Sequence, residues 1–121
     1  MTRKILICDD DPDFAKNVML RLKSKGYDVV LAADAVQSVT AAHREKPDLI
    51  LLDIKMPAGG GRSVYENLQT SSDTMSIPIV IISALPLPEV KAQAKQMGAA
   101  DYITKPYQAE ELFAKIHKLL G

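Results

Sequence analysis

Five short, mostly apolar runs punctuate the chain: KILIC (4–8), YDVVLA (27–32), DLILLD (48–53), IPIVIIS (77–83) and DYIT (101–104). Stretches of helical character separate them. Such alternation predicts a parallel sheet with a helix crossing between each pair of strands. Leu49 to Leu52 and Ile79 to Ile82 are apolar without a period of two, as expected of strands covered on both faces, so these two should be central.

The connecting segments carry helix punctuation. Asp11 followed by Pro12 reads as a cap and first helical position, with Phe14, Val18, Met19, Leu20 and Leu22 as apolar positions up to a stop at Lys25-Gly26. Asp34 with Gln37 reads as a capping box, for a helix that ends before Pro47. A shorter helix is expected over 62–69, another over 88–97 with Gly98 as its stop, and a last one over 109–120 with Leu112, Ile116, Leu119 and Leu120 on one face. The polar stretch QTSSDTMS (69–76) reads as a loop. The result is a (βα)5 chain.

At 121 residues this is expected to be one domain over 1–121, with room for a core but not for a catalytic domain plus a cap. Fifteen basic and fifteen acidic side chains cancel, so no basic field argues for direct contact with nucleic acid. A single cysteine, Cys8, excludes an internal disulfide framework, and MTRKILIC is unlike a signal peptide. No apolar run is long enough to span a bilayer. A cytoplasmic location without membrane attachment is the expectation. Cys8 reads as a small buried apolar residue, His43 and His117 as surface residues, and the glycine triplet as no phosphate loop, because no Lys-Ser/Thr follows it.

What remains is local charge. ICDDDPD (7–13) gathers four acids directly after an apolar run, at a folding cost unless a cation or a helix amino terminus accepts the charge. Asp11 and Asp13 are accounted for as a cap and a first-turn acid. Asp9 and Asp10 are not. In right-handed βαβ units the carboxyl ends of all strands share one edge, which brings Asp9, Asp10, Asp53, Ser83 and Lys105 to one shallow pocket. Three carboxylates suit Mg²⁺, which takes one or two of them and fills its octahedron with water and phosphate oxygens. With the ion bound, one of these carboxylates can attack phosphorus to form an aspartyl phosphate, while Ser83 and Lys105 suit phosphoryl oxygens.

Four motifs at these positions, ILICDDDP, DLILLDIKMP, IVIISA and DYITKPY, resemble the receiver domains of two-component response regulators, including the stand-alone chemotaxis type. The resemblance covers nearly the whole chain. It implies a flavodoxin-like, doubly wound α/β fold with strand order 2-1-3-4-5. It implies Asp53 as acceptor of a phosphoryl group from a histidine kinase or phosphotransfer protein, with Mg²⁺ held by Asp10 directly, Asp9 through water, Asp53 and the Lys55 backbone carbonyl. Lys105 would pair with Asp53 or its phosphate, and the Lys105–Pro106 peptide would be cis. Ser83 and Tyr102 would form a switch pair that reshapes the face of the fourth helix, fifth strand and fifth helix for a downstream protein target. Homodimerisation through that face is compatible with the balanced charge. Apart from its own phosphorylation and dephosphorylation, such a protein is not an enzyme.

Some positions depart from the common pattern. PAGGGR (57–62) has three glycines and no acid, with Gly60 or Gly61 available for a turn, and LPLP (85–88) fixes the start of the fourth helix. By the resemblance, Lys55 and Leu85, two residues beyond Asp53 and Ser83, occupy positions that influence hydrolysis of the acyl phosphate, and because Leu85 cannot orient an attacking water a slow-decaying phosphate is expected. Two other readings stay open: a constitutive receiver-fold interaction module, and a haloacid dehalogenase-type phosphohydrolase suggested by the Asp9-x-Asp11 spacing. Lack of room for a cap and the Pro12-Asp13 that follows oppose the latter. A flavin site is disfavoured because the first strand's acidic loop repels a phosphate.

Overall fold

The computed structural model describes residues 2–56 and 60–121. The strands are β1 (Lys4–Cys8), β2 (Asp28–Ala32), β3 (Leu49–Asp53), β4 (Ile79–Ser83) and β5 (Asp101–Thr104). They alternate with α1 (Pro12–Ser24), α2 (Ala35–Glu45), α3 (Gly60–Gln69), α4 (Leu87–Met97) and α5 (Ala109–Leu120). All pairings are parallel, in the order β2-β1-β3-β4-β5. β3 and β4 are buried along their full length, as their unbroken apolar runs require.

Alternation along each strand builds two cores. Ile5, Ile7, Leu49, Leu51, Val80 and Ile82 meet Val18 and Leu22 of α1 and Leu112 and Ile116 of α5. Leu6, Cys8, Ile50, Leu52 and Ile81 turn the other way, onto α2, α3 and α4 through Ala42, Leu68 and Val90. Leu20 departs from the helical reading: it is 57% exposed, because the inward stripe of α1 is Ala15, Val18 and Leu22.

Caps set the helix starts. The Asp11 carboxylate accepts from the amides of Asp13 and Phe14 at 3.1 and 3.2 Å, and Asp34 accepts from Gln37 N–H at 2.8 Å. α3 begins two residues earlier than expected, so Gly60 and Gly61 are helical rather than turn residues. Their use is close approach: a Cβ on Gly61 would lie 2.5 Å from the carbonyl oxygens of both Asp53 and Ile54. Pro57, Ala58 and Gly59 of the glycine loop lie outside the described residues. The 70–76 segment is tied down by Thr74, whose buried hydroxyl donates to the Leu68 carbonyl at 2.8 Å. No helix among the described residues is long and apolar enough to cross a membrane.

Candidate functional site

The strand order reverses between β1 and β3, the place where open α/β sheets leave a crevice beyond the carboxyl ends of their strands. Register does the rest. Cys8 pairs with Leu52, so Asp9 comes level with Asp53; Ser83 pairs with Thr104, so Lys105 follows immediately beside it. Carboxylate oxygens of Asp9, Asp10 and Asp53 lie within 4.8 Å of one another. Asp9 and Asp53 are buried and Asp10 is exposed.

Lys105 reaches into this cluster. Its ammonium stands 2.8 Å from Asp9 Oδ2 and 3.2 Å from Asp53 Oδ2. The other oxygens are held by backbone donors: Asp9 Oδ1 accepts from Asp11 N–H and Asp53 Oδ1 from Lys55 N–H, both at 2.9 Å. Burial raises the Asp9 pKa above the usual carboxylate range, the Asp53 charge adds to this, and Lys105 opposes it. For Lys105, burial works to lower the pKa, yet Asp9 and Asp53 outweigh it and the ammonium is held above its ordinary value. Cys8, one residue before the acids, is pushed up to about 12 by burial, so its thiol is inert, as read from the sequence.

These residues fit a hard divalent cation. Asp9 Oδ2 is buried and, with the Lys105 ammonium at 2.8 Å, has no donor aligned for a hydrogen bond among the described residues. A buried carboxylate oxygen in that condition, beside two further carboxylates, suits an all-oxygen ion such as Mg²⁺.

Around the cluster the remaining candidates fall into place. Ser83 is buried and its Oγ accepts from Leu85 N–H at 3.2 Å, while Lys105 N–H donates to the Ser83 carbonyl at 2.7 Å. The Lys105–Pro106 peptide is cis. Tyr102 lies three residues back along β5, half-buried against the α4 side of the sheet. Lys115 of α5 braces it, with Nζ 4.7 Å from the ring centroid, 3.2 Å from Asp101 Oδ1 and donating to the Tyr102 carbonyl.

Other features escaped the sequence reading. Phe14, taken there as one more apolar position of a helix, stands with its ring 4.1 Å from Lys105 Nζ and packs edge-on against Tyr107. Both rings line a surface groove of about 490 Å³ with Asn17, Arg21, Ala84, Lys105 and Pro106. His43 is not a solitary surface residue, since its Nδ1 meets Asp73 at 3.0 Å across the α2–α3 side. An aromatic on the first turn of α1 was the available signal for Phe14; nothing local pairs His43 with a residue thirty positions away.

Residues 5–117 match the response regulator receiver domain. The chain belongs to that family. As a receiver it is 38% identical over 117 residues to the DNA-binding dual master transcriptional regulator RpaA of Synechocystis sp., and 37% identical to the probable transcriptional regulator ycf27 of Porphyridium aerugineum. Each match covers 97% of the receiver and 48% of the relative, so this chain spans about half the length of either. Among solved structures, the chemotaxis response regulator CheY4 of Vibrio cholerae superposes with a TM-score of 0.89 at 28% identity, covering 99% of the receiver and 100% of that chain. The receiver domain of the sensor histidine kinase PA1611 from Pseudomonas aeruginosa, which holds a magnesium ion in its active-site cleft, gives 0.90 at 30% identity, covering 100% and 99%. The doubly wound, flavodoxin-like sheet expected from the sequence is therefore the fold, and the protein is the receiver domain of a two-component response regulator.

Proposed function

We propose that this receiver is a phosphorylatable switch whose acceptor is Asp53. The observation that carries the reading is the Lys105 ammonium set between Asp9 and Asp53, with Asp10 alongside. A carboxylate oxygen of Asp53 attacks phosphorus; the bond from phosphorus to the imidazole nitrogen of a phosphohistidine donor breaks, and the imidazole leaves with the electron pair. The Lys55 amide and Lys105 hold the two Asp53 oxygens, so the nucleophile is oriented before the donor arrives. Lys105 then has a phosphoryl oxygen as an anionic partner in place of the free carboxylate. Asp9, Asp10, Asp53 and the Lys55 backbone carbonyl would hold Mg²⁺, which neutralises charge on the phosphoryl oxygens.

The output follows from Ser83. Turning its hydroxyl towards a phosphoryl group on Asp53 gives up the bond from Leu85 N–H, a net cost of about 1 kcal/mol that a charge-assisted bond exceeds. That turn leaves space beside β5 for the Tyr102 ring and alters the surface of α4, β5 and α5 that a downstream protein target meets. A histidine kinase or phosphotransfer protein supplies the phosphoryl group. Leu85, half-buried and apolar, offers an attacking water no hydrogen bond, which favours a long-lived phosphate. The phosphohydrolase alternative is disfavoured because the Asp11 carboxylate caps α1 and is not directed to a substrate.

Intact-mass spectrometry after incubation with acetyl phosphate and Mg²⁺ tests the reading. One added phosphoryl group is expected, absent from Asp53→Ala and from an EDTA control. A folded wild-type protein that binds Mg²⁺ yet gains no mass, from acetyl phosphate or from a phosphorylated histidine donor, overturns it in favour of a constitutive interaction module.

A further inference from the structure

We infer that Phe14 is a positioning residue for phosphoryl transfer: its ring face seats the Lys105 ammonium against Asp9 and Asp53. This rests on the phosphorylation reading above. Three surfaces enclose the ammonium, with Asp9 Oδ2 at 2.8 Å, Asp53 Oδ2 at 3.2 Å and the Phe14 centroid at 4.1 Å, and only 17% of the lysine side chain remains exposed. A cation within about 6 Å of a ring face is attracted by the ring quadrupole, most strongly where water is excluded.

The ring is itself held from two directions. Its backbone amide donates to the Asp11 cap at 3.2 Å, which fixes the first turn of α1 on the pocket's rim. Its edge contact with Tyr107 has centroids 5.8 Å apart and planes at 82°, and Tyr107 lies two residues beyond Lys105. The segment that carries the lysine therefore also carries the group that orients the ring. Lys25 over Phe113, at 5.0 Å between an exposed lysine and a half-buried ring, has no carboxylate pair beside it among the described residues and serves as an internal comparison.

An aromatic face suits this seat for a chemical reason. A third carboxylate there would occupy an N–H of the ammonium and compete with the phosphoryl group for it. An aliphatic side chain would exclude water but exert no pull, leaving a flexible four-carbon stem to be ordered at the moment of reaction. The ring attracts the charge and accepts no conventional hydrogen bond, so the N–H donors stay free to point at oxygens.

The test uses the intact chain with phenylalanine, 4-fluoro-, 3,5-difluoro- and pentafluorophenylalanine placed at position 14, together with Phe14→Leu and Phe14→Tyr. The rate of phosphorylation by acetyl phosphate with Mg²⁺ should fall stepwise with fluorination. It should drop by about 2- to 30-fold in Phe14→Leu and stay within about twofold in Phe14→Tyr. Urea melts establish that each variant is folded. A flat rate across the fluorinated series overturns the proposal, leaving the ring as a steric wall. A second readout needs no phosphorylation: the Lys105 methylene protons should be shifted upfield by the ring in the wild type and return to ordinary positions in folded Phe14→Leu. Absence of that shift refutes the contact itself. Failure of the wild type to take up phosphate, with the shift present, refutes the functional reading and leaves the contact intact.

Discussion

Replacing Gly61 by alanine probes the most exacting contact in the fold. The added methyl would stand 2.5 Å from the carbonyl oxygens of Asp53 and Ile54 and 2.6 Å from the Ile54 Cα, all of them backbone atoms that cannot rotate away. Carbon–oxygen contacts settle at about 3.3 Å or beyond, so the start of α3 must retreat by roughly 0.8 Å from the end of β3. Overpacking of this kind costs about 1–3 kcal/mol, and three clashes against backbone put it at the upper end. Alanine recovers about 1 kcal/mol of helix propensity. The net expectation is a loss of about 2 kcal/mol, or about 8 °C in Tm for a chain of this size. Because Asp53 is one of the residues displaced, its phosphorylation should slow as well. Urea unfolding followed by far-UV circular dichroism gives the stability. Gly60→Ala is the control, since among the described residues its Cβ meets only side-chain carbons, Ala35 Cβ at 3.1 Å and Met56 Cβ at 3.5 Å. A Gly61→Ala protein as stable as the wild type, or more stable than Gly60→Ala, would refute the reasoning.

Lys46 ends α2 in the left-handed region at φ 45° and ψ 61°, where a Cβ costs about 1–2 kcal/mol. Lys46→Gly should therefore stabilise the protein by about 0.5–1 kcal/mol after the extra freedom of the unfolded glycine is counted, seen as a higher urea midpoint at an unchanged slope. The Asp73 carboxylate raises the His43 pKa above its unfolded value, so the pair's contribution is present in full below the unfolded histidine pKa and fades as pH rises through the folded one. The stability difference between wild type and Asp73→Asn should accordingly be larger at pH 6 than at pH 8.5, and a difference independent of pH would exclude the ion pair. Leu85→Gln should shorten the lifetime of the Asp53 phosphate by about fivefold, the worth of one net hydrogen bond to an attacking water, in a time course of phosphate loss by intact mass.

The parts of this protein legible in its sequence are those fixed by local chemistry. Unbroken apolar runs at 49–52 and 79–82 identified the two fully buried strands because a residue covered on both faces has no polar side to show. Asp11-Pro12 and Asp34 marked helix starts because caps act within three residues. The pocket was legible for a further reason: parallel strands joined by right-handed crossovers have one common carboxyl edge, which turns position along a strand into proximity in space. What escaped depends on contacts between distant segments. Gly61 looks like a turn residue until α3 is packed on the carbonyls of β3. Thr74 looks like loop polarity until its hydroxyl is found bonded to the end of α3. Leu20 looks like core, but hydrophobicity alone does not say which of five neighbouring apolar side chains on α1 faces the sheet. Phe14 could not be told from the other four until the path of Lys105 was known.

The groove between α1 and the 105–107 segment that follows β5 shares a wall with the chemistry. Phe14, Lys105 and Pro106 line it from within, while Asn17 and Arg21, joined by a bond of 3.0 Å between Arg21 Nε and Asn17 Oδ1, line it from farther along α1. A mutation at Phe14 that altered the shape of the groove would also remove one of the three surfaces that enclose the lysine. Asn17 and Arg21 are not among the three surfaces that enclose the ammonium. The groove's outer wall can therefore be reshaped at these two positions with the seat of the lysine left in place.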